Sequence, residues 1–355
     1  MSDVNERERI MNQDWQNFLR AQGAQIQDSV VSHFGEATAE RLAARDGTVL
    51  CDLGQFGTLR ISGEEAESFL QNLLSNDVRE VTATRAQLSS LNSPKGRMLA
   101  SLLIWRDGQD YLLQLPRTLS EPILKKLNMY VLRAKVKISN VSDEIVTLGV
   151  SGVDALEILL ARFGELPQAA LGVVSSESGC VIKVSDLRWQ INATPQQAQK
   201  LWAEFNVEAR PVGSSCWDWL NIRAGIPVIL PQTQEQFVAQ MANFDLVKGV
   251  NFSKGCYPGQ EIVARAQYLG KLKRRMYLAH IDSNESPQPG DELFSADMGG
   301  QACGTLANVA TAPAGGYDVL AVLQTSSHET QQVHWKSPQG TALQFLPLPY
   351  TLPAN

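Results

Sequence analysis

The sequence predicts an α+β protein in which two related strand–helix units precede a small C-terminal β-barrel. Three observations point there. A local pattern occurs twice, ISGEEAESFLQNLL (61–74) and VSGVDALEILLARF (150–163), 89 residues apart. Strand-like runs alternate with helical stretches of about twelve residues before position 271. From about residue 271 the helical signal fades, and short β-rich runs separated by glycine turns replace it.

In order, residues 3–22 carry Ile10, Met11, Trp15, Phe18 and Leu19 at rough helical spacing, which predicts a helical N-terminal extension over 1–42. TVLCDLGQFGTLRI (48–61) mixes β-formers with glycine and predicts strands. Each copy of the repeat then has a β-branched residue, Ser-Gly, an acid, Ala and an apolar stripe. Ser62 with Glu65, and Ser151 with Asp154, have capping-box spacing. Phe69, Leu70, Leu73 and Leu74 share one helical face, and Leu156, Leu159, Leu160 and Phe163 another. This reads as a duplication; capped helices after strands also arise by convergence. YLLQLPRTLSEPILKKLNMYV predicts a strand and a helix, and KVKISNV a strand. In LRWQINATPQQAQKLWAEF, Thr194 suits a cap and Pro195 the first helical position. KLKRRMYLAHID alternates, SNESPQPGD is a turn-rich loop, and further short strands reach LQFLPLPYTLPAN. The predicted domains are therefore 1–42, 43–270 and 271–355.

The 355 residues are 44% hydrophobic and 19% charged, as expected of a globular chain with a substantial core. A net charge of −6 argues against a generally cationic nucleic-acid binder. Cys51, Cys180, Cys216, Cys256 and Cys303 are odd in number, scattered and without C-x-x-C, and the four histidines add no ligand spacing. A disulfide framework or a metal site is not expected, and reduced thiols fit the cytoplasm. No segment approaches the roughly 18 apolar residues of a membrane span, so no membrane partner is expected, and the chain reads as a monomer.

The run NFSKGCYPGQEIVAR (251–265) bears the chemistry. Pro258-Gly259 is a turn signal. Gln260 to Arg265 predicts a short helix with Glu261 in its first turn. Gly255 suits a close backbone approach. Cys256 then lies just ahead of a helix N-terminus with Lys254 two residues upstream, a setting that favours thiolate. Buried, inert packing is the usual fate of a free cysteine, and it is the expectation for the other four. Between Glu261 and Asp282 no acid occurs, while Arg265, Lys271, Lys273, Arg274 and Arg275 do. Such a cluster suits a phosphate backbone, hence direct tRNA contact, or a polyglutamate tail; a solvated strand face is the plainer reading. No G-x-G-x-x-G or P-loop is present.

KGCYPGQE, continued by IVAR, resembles the K-G-C-Y-x-G-Q-E signature of the YgfZ family of folate-binding, tRNA-modifying proteins. NIRAGIPVI, the spaced Phe237, Gln240, Asn243 and Gly249, and LPLPYTLP are also similar, so the resemblance covers roughly 46–355. It implies kinship with the glycine cleavage T-protein (GcvT), an aminomethyltransferase. The implied fold is T-protein-like: two α+β subdomains and a C-terminal β-barrel around a central folate cavity. It implies tetrahydrofolate or a folate derivative as cofactor, and iron–sulfur proteins such as tRNA thiomethylating enzymes as partners. The implied role is accessory: support of iron–sulfur cluster assembly or repair. By the same resemblance Cys256 is the functional thiol, within a motif of Lys254, Gly255, Tyr257, Gly259, Gln260, Glu261 and Arg265. Phe56 and Trp217 are the implied pterin contacts. The T-protein acids fall at Leu99 and Ala100 here, in NSPKGRMLA (92–100), so glycine cleavage is not expected. Arg223 and Ala239 also depart from the family pattern. A folate-dependent one-carbon transferase and a direct tRNA-binding module are the alternatives.

Overall fold

The computed structural model describes residues 13–268, 272–330 and 332–353. Helix α1 covers 13–21; the part of the N-terminal helix expected at 3–12 lies outside the described residues. The chain continues through β1 (Gln25–Gln27), β2 (Val30–His33), α2 (Ala37–Asp46), β3 (Val49–Asp52), β4 (Phe56–Ser62) and α3 (Ala66–Gln71). Then come β5 (Gln87–Asn92), β6 (Met98–Asp107), β7 (Asp110–Pro116), α4 (Arg117–Val131), β8 (Lys137–Asn140), β9 (Val146–Ser151) and α5 (Ala155–Phe163). After these lie β10 (Val173–Ser176), β11 (Gly179–Ser185), β12 (Arg188–Ala193), α6 (Pro195–Phe205), β13 (Arg210–Val212), α7 (Ser214–Arg223) and α8 (Gln260–Tyr268). The last elements are β14 (Arg274–Ile281), β15 (Glu292–Ser295), β16 (Ala302–Thr311), β17 (Tyr317–Gln324), α9 (Thr325–Thr330), β18 (Val333–Trp335) and β19 (Leu343–Leu346). None of the described helices is long and apolar enough to cross a membrane.

Two compact units emerge. One runs to Glu67 and includes Arg79–Gln87 and Leu103–Trp217; the other holds Ser68–Val78, Leu88–Leu102 and the chain from Asp218. The first unit contains a six-stranded sheet in the order β10-β11-β12-β9-β3-β13, antiparallel except where β13 runs parallel to β3. Strands β9 and β12 are buried at every position, so the alternation of a half-exposed strand is absent from them. Leu148, Val150 and Ile191 share one core with Leu201, Trp202 and Phe205 of α6 and with Trp15 and Leu19 of α1. Helix α6 starts as its sequence predicts, with a reciprocal capping box between Thr194 and Gln197 and Pro195 in the first turn. The same unit holds β7, β4 and β8, with β7 also paired to the second half of β6.

The two repeated motifs begin their helices differently from the expectation. Neither capping box forms. Gly63 and Gly152 turn at φ 114° and 134°, and neighbouring backbone presses against both. A Cβ would lie 2.1 Å from the Lys135 carbonyl oxygen at Gly63 and 2.3 Å from that of Gly47 at Gly152. The acids bind those neighbours instead of the helix start. Glu65 accepts from the Lys135 amide at 2.7 Å, and Asp154 accepts from the Thr48 hydroxyl at 3.0 Å. The apolar stripe of α5 is also rotated from its expected place. Ala155, Ile158 and Leu159 face the core, whereas Leu156 and Leu160 are exposed.

In the second unit the barrel expected at the C-terminus is a curled six-stranded half-barrel in the order β18-β15-β16-β17-β14-β19. Every pairing is antiparallel, and a bridge between His334 and Ala342 draws its ends toward each other. One core of this unit gathers Tyr277, Leu293, Leu306, Val319 and Trp335; another joins Met276, Leu278 and Leu320 to Phe237, Phe244 and Val263. The Tyr350 hydroxyl donates to the Gly225 carbonyl at 2.8 Å and accepts from Asn243 at 3.3 Å, so the LPLPY run ties down the barrel's flank.

Candidate functional site

The segment 251–259 is a loop in the second unit that leads into α8. Its start is pinned by main-chain and side-chain bonds. The Asn251 amide donates to the Ser75 carbonyl at 3.1 Å, and the Ser253 amide to the Asn251 side chain at 2.8 Å. Lys254 is only 5% exposed, against the usual fate of lysine. Its ammonium donates to the carbonyls of Gln71 (2.7 Å) and Leu74, and lies 5.1 Å from the Tyr257 ring centroid. These carbonyls close the C-terminal end of α3 and the turn after it, where a cation is favoured. Lys254 is thus an anchor of the loop rather than a free charge beside the thiol. Tyr257 is buried, and burial pushes its hydroxyl up to about 12, which keeps it protonated.

Two glycines fix the far end of the loop. Gly259 has φ 78°, and its Cβ would lie 2.4 Å from Gly96 Cα; Gly96 has φ 68°, and its Cβ would lie 2.8 Å from Ile262 Cβ. The turns at 93–97 and 257–260 therefore touch backbone to backbone. Gly255 differs from its expected role. A Cβ there would meet nothing within 4 Å, so no other part of the chain approaches it closely.

Between these anchors Cys256 is exposed, whereas Cys51, Cys216 and Cys303 are buried and Cys180 is half-buried. Burial pushes Cys180 and Cys303 up to about 11, which holds both as inert thiols at neutral pH. Helix α8 follows as predicted, with Glu261 in its first turn and Arg265 in its last. Glu261 and Arg265 are exposed and Gln260 is half-buried. Gln240 holds the helix from below, donating to the Val263 carbonyl at 2.7 Å.

Three polar residues near this loop were not singled out from the sequence as a group. Asn92 Nδ2, Ser93 Oγ and Gln240 Oε1 are buried without a hydrogen-bond partner among the described residues. Ser93 belongs to the turn that meets Gly259, and Gln240 to the segment beneath α8. Buried polar atoms are normally paired, so each of the three is an exception. The signal available in the sequence was the run Asn-Ser-Pro-Lys-Gly, whose residue types suit a turn that spares polar groups for other bonds. Next to it, Leu99 and Ala100 are buried apolar positions.

The expected pterin contacts both belong to the first unit. Phe56 opens β4, is half-buried, and lines a pocket with Trp15, Asp52, Arg117 and Ser142. In it Asp52 accepts from the Trp15 indole at 2.9 Å, and burial raises its carboxyl to about 6. Trp217 is buried; the Arg188 guanidinium sits 4.3 Å from its ring centroid, and its ring lies so close to Gly149 that a Cβ there would be 2.6 Å away.

The cationic run expected to offer a tRNA contact is not a uniform patch. Lys271 lies outside the described residues. Arg275 must be withdrawn from it: its side chain is buried and donates to Asp245 at 2.8 and 3.0 Å and to the Gln240 carbonyl at 2.9 Å. Strand β14 is buried on both faces, with Met276 and Leu278 in one core and Tyr277, Ala279 and Ile281 in another, so Arg275 is enclosed with its neighbours. Arg265 and Lys273 are exposed and Arg274 half-buried. Among the described residues no group of three or more His, Cys, Asp or Glu side chains is placed to hold a metal ion.

A duplicated-looking α+β region followed by a half-barrel is the architecture of the T-protein class. The glycine cleavage system aminomethyltransferase T of Bartonella henselae superposes with a TM-score of 0.75 over 93% of this chain and 95% of its own, at 16% identity. The family described as the GCVT N-terminal domain matches residues 29–248. Proteins named tRNA-modifying protein YgfZ, from Escherichia coli O6:H1 (strain CFT073) and Shigella boydii serotype 4, are each 31% identical over 313 residues, covering 87% of this chain and 95% of theirs. The chain belongs to the YgfZ family.

Proposed function

We propose that this protein is a folate-binding accessory factor that supports iron–sulfur cluster assembly or repair, and through it tRNA thiomethylation, with Cys256 as the working thiol. One observation carries the reading: Cys256 is the exposed cysteine, on a loop anchored by Lys254 at one end and by the Gly96–Gly259 contact at the other. Anchoring at both ends presents the sulfur while restricting the backbone, and the open space at Gly255 leaves its approach clear. The names of the relatives support the link to tRNA modification, and the T-protein fold supports a folate ligand. Lys254, Tyr257 and Gly259 hold the loop and Gly255 leaves it open, while Gln260 and Glu261 form the polar start of α8 and Arg265 lies in its last turn. For the pterin, Phe56 offers a half-exposed ring; stacking on Trp217 requires Arg188 to leave that ring. A one-carbon transferase is less well supported, because Leu99 and Ala100 provide no acid to move a proton at the folate nitrogen.

The test is complementation of a strain lacking its YgfZ protein, read as thiomethylated tRNA. Wild type is expected to restore the modification, and Cys256→Ala to fail while keeping the wild-type melting temperature. Full rescue by Cys256→Ala removes the thiol from the mechanism. Titration with a reduced folate, comparing wild type with Phe56→Ala, tests the ligand separately: unchanged affinity would exclude Phe56 from the pocket.

A further inference from the structure

The end of α4, the turn after it and the start of β8 form a surface that the reading above does not use. From Pro122 to Ser142 the chain carries Lys125, Lys126, Arg133, Lys135 and Lys137 and no acid, although the whole chain has a net charge of −6. Only Lys135 is neutralised by an ion pair, with Glu64 at 2.7 Å; Lys125, Lys126, Arg133 and Lys137 have no acidic partner among the described residues. The nearby acids are Glu64 and Glu65, both engaged with Lys135, and Glu121 and Asp143 at the margins, bonded to Asn140 and Arg117.

Amid these cations stand large apolar side chains. Leu132 is 88% exposed, Met129 66% and Tyr130 37%. The opposite face of α4 is satisfied, with Leu119, Ile123 and Leu127 in the core. Leu132 caps the helix at φ 45°, a conformation a leucine rarely adopts, and the turn holds its side chain outward. An exposed leucine alone means little. Three large exposed apolar side chains, two in the last turn of α4 and one at its cap, with cations before and after them in the chain, form an amphipathic tip.

We propose that this tip is a peripheral docking point for an anionic lipid surface. Lysines and arginines near such a surface gain attraction from its negative potential, and Leu132, Met129 and Tyr130 would enter the headgroup region, where apolar and aromatic side chains are accommodated. The exposed apolar side chains favour a bilayer over other polyanions. A nucleic acid would use the cations and leave the aliphatic tip in water, whereas a bilayer accepts a protruding side chain without a matching pocket. The contact needs no membrane span, so it is compatible with the absence of one among the described helices.

Co-sedimentation of the full chain with vesicles tests this. The chain is expected to bind phosphatidylcholine vesicles containing phosphatidylglycerol, not pure phosphatidylcholine, and to be released at high salt. Lys125→Gln/Lys126→Gln is expected to weaken binding about thirtyfold, on the basis of two surface cations. Met129→Ser/Leu132→Ser is expected to weaken it about tenfold or more. Lys200→Gln, on the exposed side of α6, is the control and should bind as wild type. Melting temperatures establish that each variant is folded. Absence of binding to the anionic vesicles at low salt, or unchanged binding by both double variants, overturns the proposal. Patch-dependent binding of bulk tRNA with no vesicle binding overturns it in favour of a nucleic-acid contact.

Discussion

Replacing Lys254 by methionine keeps most of the side chain and removes its three donors. The carbonyls of Gln71 and Leu74 would lose those bonds while still close to the core, a loss of about 1–3 kcal/mol. Urea unfolding should show this cost, and Cys256 should react faster with a thiol reagent as its loop loosens. Unchanged stability would mean that the ammonium is no anchor. Asp52 calls for a different measurement. Its carboxyl is raised to about 6 by burial, above its value in the unfolded chain, so the folded protein binds this proton more tightly. Its contribution is therefore most favourable below about pH 4, is lost as pH rises toward 6, and is level above that. Asp52→Asn should remove this slope, while giving up one of the two bonds that the carboxylate accepts from the Trp15 indole and the Gly54 amide. A denaturation series across pH on both proteins checks it; parallel curves would refute it.

Among elements, the turns at 93–97 and 257–260 make the sharpest demand on side-chain size. Gly96→Ala and Gly259→Ala should each cost more than about 2 kcal/mol, because strained φ and a backbone clash act together. A thermal melt within error of wild type at either position would contradict that geometry. Local chemistry made some elements legible in the sequence. Thr194 and Pro195 start α6, and Pro258-Gly259 starts α8, because both signals act within one turn of backbone. The caps proposed for α3 and α5 failed because their acids bind Lys135 and Thr48, partners distant in sequence. The stripe on α5 failed for a related reason: Leu156 and Leu160 fit a helical period, but the period does not say which face meets the sheet. The burial of Arg275 was hidden because β14 is covered on both faces and its partner Asp245 lies 30 residues away in the chain.

At the scale of the molecule, the five cysteines should separate by exposure. A thiol titration of the native protein is expected to show one fast-reacting group, lost in Cys256→Ser, and five after unfolding; two fast groups in the native state would contradict the burial pattern. Charge separates in a similar way. Arg275→Ala breaks a buried pair and should cost about 3–5 kcal/mol, while Lys273→Ala should stay within about 0.5 kcal/mol. Equal effects on unfolding would mean that the two cations share one role. The family signature and the class of fold could be read from the sequence because they rest on short motifs and on patterning. The unpartnered polar atoms of Asn92, Ser93 and Gln240 could not, because satisfaction of a polar atom depends on what the fold brings beside it. The meeting of Gly96 and Gly259 has a consequence for mutational drift. Where two side chains clash, a second substitution can shrink one of them and restore the fit. At Gly259 every obstructing atom is backbone of Gly96 or Ser93, so no second side-chain change can relieve a substitution there, whereas at Gly96 the first obstacle is the Ile262 side chain. In a saturation library Gly259 should behave as a dead end, intolerant whatever occupies position 96.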